Sequence, residues 1–241
     1  DCVSPLRKPD MTHIIAPAKL TLSLKVTGVR ADGFHLIDAE MVSLELHDVL
    51  TMSEGESGMT VSGPFASGVP TDDNNLVARA LQLCGKTAHV NVEKNIPHGG
   101  GLGGGSADAA AVLRWAGYTD LIAASRLGAD IPFCMRGGRA RVTGIGEILQ
   151  PLPFVAREIT LVVPPFGVST PAVYKAFDSL QAQHDGPNDL EPAAIAVEPR
   201  LATWRDRIRE ASGQTPVLAG SGATWWLDGA HPRIHEALSE A

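Results

Sequence analysis

The residues with most to say about chemistry form a single run, Pro97-His-Gly-Gly-Gly-Leu-Gly-Gly-Gly-Ser106. Glycine carries no Cβ and enters φ > 0 freely, so such a run lets several backbone N–H groups converge on one polyphosphate. The strongly helix-forming stretch Ala107–Ala116 follows directly, and a helix N-terminus adds unsatisfied N–H groups and its positive dipole end. A flexible linker is a poor alternative. Six glycines in seven residues would lose much backbone entropy in a folded unit without return. Phosphoryl transfer also needs charge neutralised on the moving group and an attacking hydroxyl that is oriented or deprotonated. Lys19, behind Ala16-Pro-Ala18, and Asp130, in Gly128-Ala-Asp-Ile-Pro132, supply a lysine and a carboxylate for those tasks. Alone, Lys19 reads as a solvated strand-edge residue and Asp130 as a cap. Only beside the glycine run do they become a set.

Other motifs compete. No Gly-Lys-Ser/Thr follows the glycines, so the run is not a Walker A loop, yet Gly99, Gly101 and Gly104 match G-x-G-x-x-G. Against a dinucleotide fold, the helix leads into Leu127-Gly-Ala-Asp-Ile-Pro-Phe133 and not into a strand with an acidic ribose ligand. Gly220-Ser-Gly222 lies between Ala219 and Ala223, so it lacks the outer glycines of a nucleophile elbow and reads as a tight turn facing a cleft. His231 and His235 flank Pro232 with no acidic partner in view, which fits a surface helix better than a metal site.

The elements that must position these groups follow from periodicity and turn chemistry. Residues 14–27 and 36–52 read as strands, separated by Arg30-Ala-Asp-Gly-Phe-His35, whose Asp-Gly pair marks a turn. Residues 54–68 suggest a loose hairpin, and Asp73-Asn-Asn75 can cap a helix through Leu76–Cys84. His89–Lys94 is a short strand feeding the glycine run, and residues 138–149 give two strand segments about Gly144. Beyond residue 156, Glu158–Pro165 is a buried strand, and helices enter at Ser169 or Thr170, at Asn188 and at Arg200. Residues 215–229 form strand, glycine turn, strand, in which Trp225 and Trp226 face opposite sides and at least one is core. Without a regular βαβ rhythm, the expectation is an α+β fold in two lobes. The parts are an arm at 1–13, an N-terminal domain at 14–155 and a C-terminal domain at 156–241.

Bulk properties narrow the class. The 241 residues carry a net charge of −7, 44% hydrophobic and 20% charged residues, which fits an ordinary globular enzyme and lacks the basic stripe of a nucleic-acid binder. The clusters Arg136–Arg141 and Arg200–Arg209 read equally well as solvated faces. Three cysteines, Cys2, Cys84 and Cys134, share no CxxC spacing, so reduced thiols are expected. No apolar run approaches the roughly 18 residues of a membrane span, and the first ten residues have no signal-peptide core, so a cytoplasmic protein without membrane partners is expected.

Together the motifs resemble the GHMP kinase superfamily and, within it, the 4-diphosphocytidyl-2-C-methyl-D-erythritol kinases. The likeness runs in order through Pro17-Ala-Lys19, Arg30–His35, Asp73–Leu76, Pro97–Ser106, Leu127–Pro132, Gly144–Glu147, Val168–Thr170, Asn188-Asp189 and Gly220–Gly222. The resemblance implies a kinase that uses ATP and Mg²⁺ to phosphorylate a tertiary hydroxyl of a cytidine-diphosphate-linked alcohol held between lobes. It implies that Asp130 orients or deprotonates that hydroxyl and that Lys19 stabilises the moving phosphoryl. Pro97, Gly99, Gly100, Gly101, Leu102, Gly103, Gly104, Gly105 and Ser106 would hold the phosphates, with Ser106 near Mg²⁺. Asn75 and Lys94 would lie by the nucleoside of ATP. Phe34 and His35 would grip the cytosine, with Thr21 and Thr170 on the substrate side. Thr21 stands where the family has Asn, Phe34 where it has Tyr, and the stretch before Leu127 and the C-terminal region are trimmed. Another small-alcohol kinase and a non-catalytic nucleotide binder are the alternatives.

Overall fold

Alternating apolar residues draw the first third of the chain into one long antiparallel ribbon, β1 (Met11–Val29) and β2 (His35–Glu54). The structure, a computed structural model, describes residues 11–180, 185–234 and 238. At the ribbon's turn the Arg30 N–H donates to the Phe34 carbonyl at 2.7 Å. The strand begins at Met11, three residues ahead of the expected start at residue 14, since Met11–His13 pair with Ser53–Thr51. Register shifts interrupt β1 between Pro17 and Lys19 and again between Thr21 and Ser23. Proline has no N–H for the ladder, and such irregularities re-aim the side chains that follow them.

One edge of β2 serves two neighbours in succession. Ile37–Val42 pair with β5 (Arg139–Gly144), and Val49–Glu54 pair with β4 (Ala88–Glu93). β6 (Ile148–Pro151) extends the sheet beyond β5, and β3 (Gly58–Ser62) extends it beyond β4. The expected hairpin over 54–68 does not form. β4 takes the edge of β2, and β3 pairs with β4 in parallel. A parallel pair needs a crossover, which α1 (Leu76–Cys84) provides. That helix is capped at Asn75 and closed at Gly85, as its turn residues predict.

α2 (Gly104–Trp115) is buried along Ala107–Leu113, and its alanines allow the close approach of neighbours that a helix inside a core requires. α4 (Ile131–Arg136) packs beside it, and α3 (Leu121–Leu127) packs against α4 and α1, before the chain returns to the sheet. A second, three-stranded sheet has the order β7 (Ile159–Val162), β9 (Trp225–Asp228), β8 (Val217–Leu218). It is accompanied by α5 (Thr170–Leu180), α6 (Glu191–Val197) and α7 (Arg200–Ser212). Both tryptophans of the central strand β9 are buried, because that strand is covered on both faces. The architecture is therefore α+β.

β1 reaches the second group of elements directly. The Leu24 N–H donates to the Pro187 carbonyl at 2.8 Å, and the Asp189 N–H donates to the Leu24 carbonyl at 2.9 Å. Asp189 also pairs with Lys25 at 2.8 Å. The arginine clusters are largely paired on the surface, with Arg141 on Asp38 and Arg200 on Glu198, both at 2.6 Å. Among the described residues no helix is long and apolar enough to cross a membrane. Cys84 and Cys134 are free thiols, whereas Cys2 and His235 lie outside the described residues.

Candidate active site

Lys19, the first residue after the shift in β1, resumes the pairing opposite Ser43, and its side chain lines a cavity of about 360 Å³ where the two groups of elements meet. Its own N–H donates to the Leu102 carbonyl at 3.0 Å, which fastens the strand to the glycine run. The buried Nζ lies 3.2 Å from Oδ2 of Asp130 and donates to Oγ1 of Thr21 at 3.2 Å. Asp130 occupies the N-cap position of α4 yet makes no side-chain cap bond. Its carboxylate, 29% exposed, faces Lys19 instead. The capping reading of Asp130 is thereby excluded.

The glycine run is built to be approached closely. Gly101 and Gly103 hold φ near +75° and +69°. A Cβ on Gly101 would come within 2.2 Å of the Ala219 carbonyl, and one on Gly103 within 2.7 Å of Lys19 Cγ. These glycines therefore serve packing as well as any ligand. The turn between β8 and β9 is zipped to the run, since Ala223 and Thr224 donate their N–H groups to the Gly99 and Gly100 carbonyls at 3.3 and 3.2 Å. At the far end α2 starts with no side-chain cap on Gly103 and no acidic residue in its first turn. Its free N–H groups and dipole suit a polyphosphate. Ser106 stands in that first turn and lines the same cavity.

A ring pocket closes the other side. His35 Nε2 is 2.7 Å from Oδ1 of Asp178, and its ring packs on Tyr174 with centroids 4.6 Å apart. Burial, assisted by the charge of Asp130, pushes the Tyr174 hydroxyl up to about 12, so it stays neutral and able to donate. Thr170, one turn earlier on α5, shares a 2.7 Å hydrogen bond with Ser221. Tyr174 was not among the residues expected at the site. Its signal was the i,i+4 spacing from Thr170, which places both on one helix face.

Comparison with known proteins adds to this geometry. Residues 75–138 match the GHMP kinases N terminal domain model. A 4-diphosphocytidyl-2-C-methyl-D-erythritol kinase of Paracoccus denitrificans is 43% identical over 237 residues, covering 87% of this chain and 84% of that protein. The chain belongs to the 4-diphosphocytidyl-2-C-methyl-D-erythritol kinase family. A crystal structure of a 4-(cytidine 5'-diphospho)-2C-methyl-D-erythritol kinase superposes with a TM-score of 0.73 at 31% identity, covering 95% of this chain and 94% of that one. L. major mevalonate kinase in complex with R-mevalonate gives a TM-score of 0.65 at 15% identity over 98% and 93% of the two chains, a likeness of fold.

Within this family fold, Lys19, Thr21, His35, Pro97, Gly99–Ser106, Asp130 and Thr170 all line the one cavity. Three residues expected at the site stand elsewhere. Lys94 is buried between Asp48 and Asp108, because a lysine at the end of β4 points into the interior behind the glycine run. Asn75 accepts from the Val77 N–H and donates to the Pro70 carbonyl, so its side chain is engaged in capping α1. Phe34 is 56% exposed beneath the Arg30 guanidinium, one residue outside the ring pocket.

Proposed function

We propose that this kinase transfers the γ-phosphoryl group of ATP to the tertiary 2-hydroxyl of 4-diphosphocytidyl-2-C-methyl-D-erythritol, a step in making isoprenoid precursors in the cytoplasm. The observation that carries the reading is the Lys19–Asp130 pair, 3.2 Å apart in a cavity flanked by an uncapped helix N-terminus and a ring pocket. ATP supplies the phosphoryl group when bound, and Mg²⁺ neutralises charge on its oxygens. Ser106, in the first turn of α2, would be the oxygen donor at hand for that ion, which suits a metal that keeps most ligands as water and phosphate.

The chain's own residues have separable tasks. The N–H groups of the glycine run and of the first turn of α2 hold the phosphates and do not themselves react. Asp130 accepts a hydrogen bond from the substrate hydroxyl and takes its proton as the new O–P bond forms and the bond to the leaving diphosphate breaks. Lys19 holds the carboxylate in place and places positive charge beside the transferring group. His35, positioned by Asp178, reads the polar edge of the cytosine while Tyr174 offers a stacking face. Elements 14–155 supply the phosphate loop and residues 156–241 the α5 wall and glycine turn, which is the two-lobed division in functional terms.

The test is ATP consumption by purified protein with Mg²⁺ and the cytidyl-linked alcohol, with Lys19→Ala as control. Turnover that disappears in the variant supports the reading. ATP binding without turnover would redirect the proposal to another alcohol.

A further inference from the structure

Directly behind the glycine run lies a chain of three buried charges that no step above uses. Asp48 sits in the part of β2 between the segments that pair with β5 and β4. Its Oδ1 accepts the N–H groups of Asn95 and Ile96 at 2.5 and 2.8 Å, so it grips the entry to the run. Its Oδ2 accepts from Lys94 Nζ, which also donates to Oδ2 of Asp108 on α2 at 2.6 Å. Lys94 Nζ is 3.3 Å from the point where a Cβ of Gly104 would stand. The network thus touches the backbone on both sides of the phosphate loop.

As a stabilising device the arrangement is poor. Two carboxylates share one ammonium, all three side chains are almost wholly buried, and Asp108 Oδ1 has no hydrogen-bond partner among the described residues. A buried charge surplus and an orphaned oxygen both weaken a fold, and a neutral residue at position 108 would relieve both. What the third charge adds is a tie. Through Lys94 it links the first turns of α2 to Asp48 and so to Asn95 and Ile96, with the loop spanning the gap.

We infer that Asp108 and Asp48, acting through Lys94, are positioning residues that hold the two ends of the glycine run and so preset its N–H groups for the phosphates of the nucleotide. The inference rests on the proposed use of ATP. A ligand cradle gains affinity when its shape is set before binding, since the cost of ordering is not charged to the complex.

The test uses Asp108→Ala, which cuts the tie but leaves a neutral Asp48–Lys94 pair, and Asp108→Asn, which keeps an acceptor oxygen. In nucleotide-free protein, amide exchange at residues 98–106 should quicken at least about 10-fold in the Ala variant and about 3-fold in the Asn variant. The KM for ATP should rise by about the same factors while the KM for the alcohol stays within about two-fold. Unchanged loop exchange, or equal rises in both KM values, would overturn the inference. If the Ala variant does not fold, the Asn variant decides, and loop exchange equal to wild type overturns it. Wild-type protein that neither binds nor consumes ATP counts against the proposed function instead, and the exchange measurement still judges the tie.

Discussion

Nζ of Lys19 and Oδ2 of Asp130 stand 3.2 Å apart, although one side chain leaves a long N-terminal strand and the other the start of a six-residue helix. Each holds the other in the cavity, so removal of one partner disorders the second as well as losing its own charge. Replacement of Asp130 by Asn keeps the shape and removes the base. We expect Asp130→Asn to lower kcat by about 10²–10⁴-fold with the ATP dissociation constant within about three-fold of wild type. Steady-state kinetics beside calorimetric ATP binding checks this, and near-normal turnover would remove Asp130 from the mechanism.

The position of Asp130 also depends on a glycine outside the cavity. A Cβ on Gly146 would lie 2.1 Å from the carbonyl oxygen of Ala129, and Gly146 holds φ near +130°. Gly146→Ala must push Ala129, and with it Asp130, away from Lys19. A misplacement of that kind is expected to reduce kcat by about 10²-fold. The KM for ATP should change far less, because the glycine run is untouched. A variant with wild-type kcat would show that the loop at 144–147 yields without moving the carboxylate.

Tyr174 separates the two substrates. Its ring packs on His35 at 4.6 Å, and both rings line the cavity. Loss of a stacking face costs about 1–3 kcal/mol per base, which is roughly 5- to 150-fold in affinity. Tyr174→Ala should therefore raise the KM for the cytidyl alcohol at least about 5-fold and leave the KM for ATP within about two-fold. Equal rises for both substrates would move the cytosine elsewhere.

Asn188 ties the second glycine turn to the ribbon. Its Nδ2 donates to the Leu218 and Gly220 carbonyls at 2.8 and 2.7 Å, and its Oδ1 accepts from Leu190 N–H at 3.0 Å. Asn188→Ala leaves three buried backbone groups without partners, a loss of about 3 kcal/mol. For a chain of this size that corresponds to a fall in Tm of about 8 °C, measurable by calorimetry. A change below about 2 °C would mean that water replaces the amide.

Asp108 predicts a pH dependence of stability. Burial, opposed by Lys94 and reinforced by Asp48, raises its carboxyl from 3.8 to about 7 in the folded protein. Between those values the unfolded chain has released the proton that the folded chain still holds. Stability attributable to this group is complete below pH 3.8 and is lost as pH rises toward about 7. Asp108→Asn should therefore gain stability over wild type as pH climbs through that window, read as urea midpoints from pH 5 to pH 8. Parallel curves for the two proteins would mean that Asp108 does not titrate there.

Much of this protein was legible along the chain, and the reason is local. The glycine run between a strand and an alanine-rich helix, the Asn75 cap and the alternation in β1 each express chemistry that acts within a few residues. Backbone freedom, capping and periodicity need no distant partner, so they can be read before folding is known. Lys19 and Asp130 could be named as a lysine and a carboxylate of the right kind, but not as a pair. Their meeting depends on the register shift after Pro17 and on Asp130 declining to cap α4, both settled by packing. Lys94 shows the opposite case. A lysine beside a phosphate loop invites a binding role, yet burial between Asp48 and Asp108 gives it an internal one. Likewise β3 turns away from β2 because β4 fills that edge, and Tyr174 reaches the cavity only because α5 is docked against His35. Residue type and spacing determine what a segment can do; the burial and partners that decide what it does come from residues far away in sequence, brought near only by the folded chain.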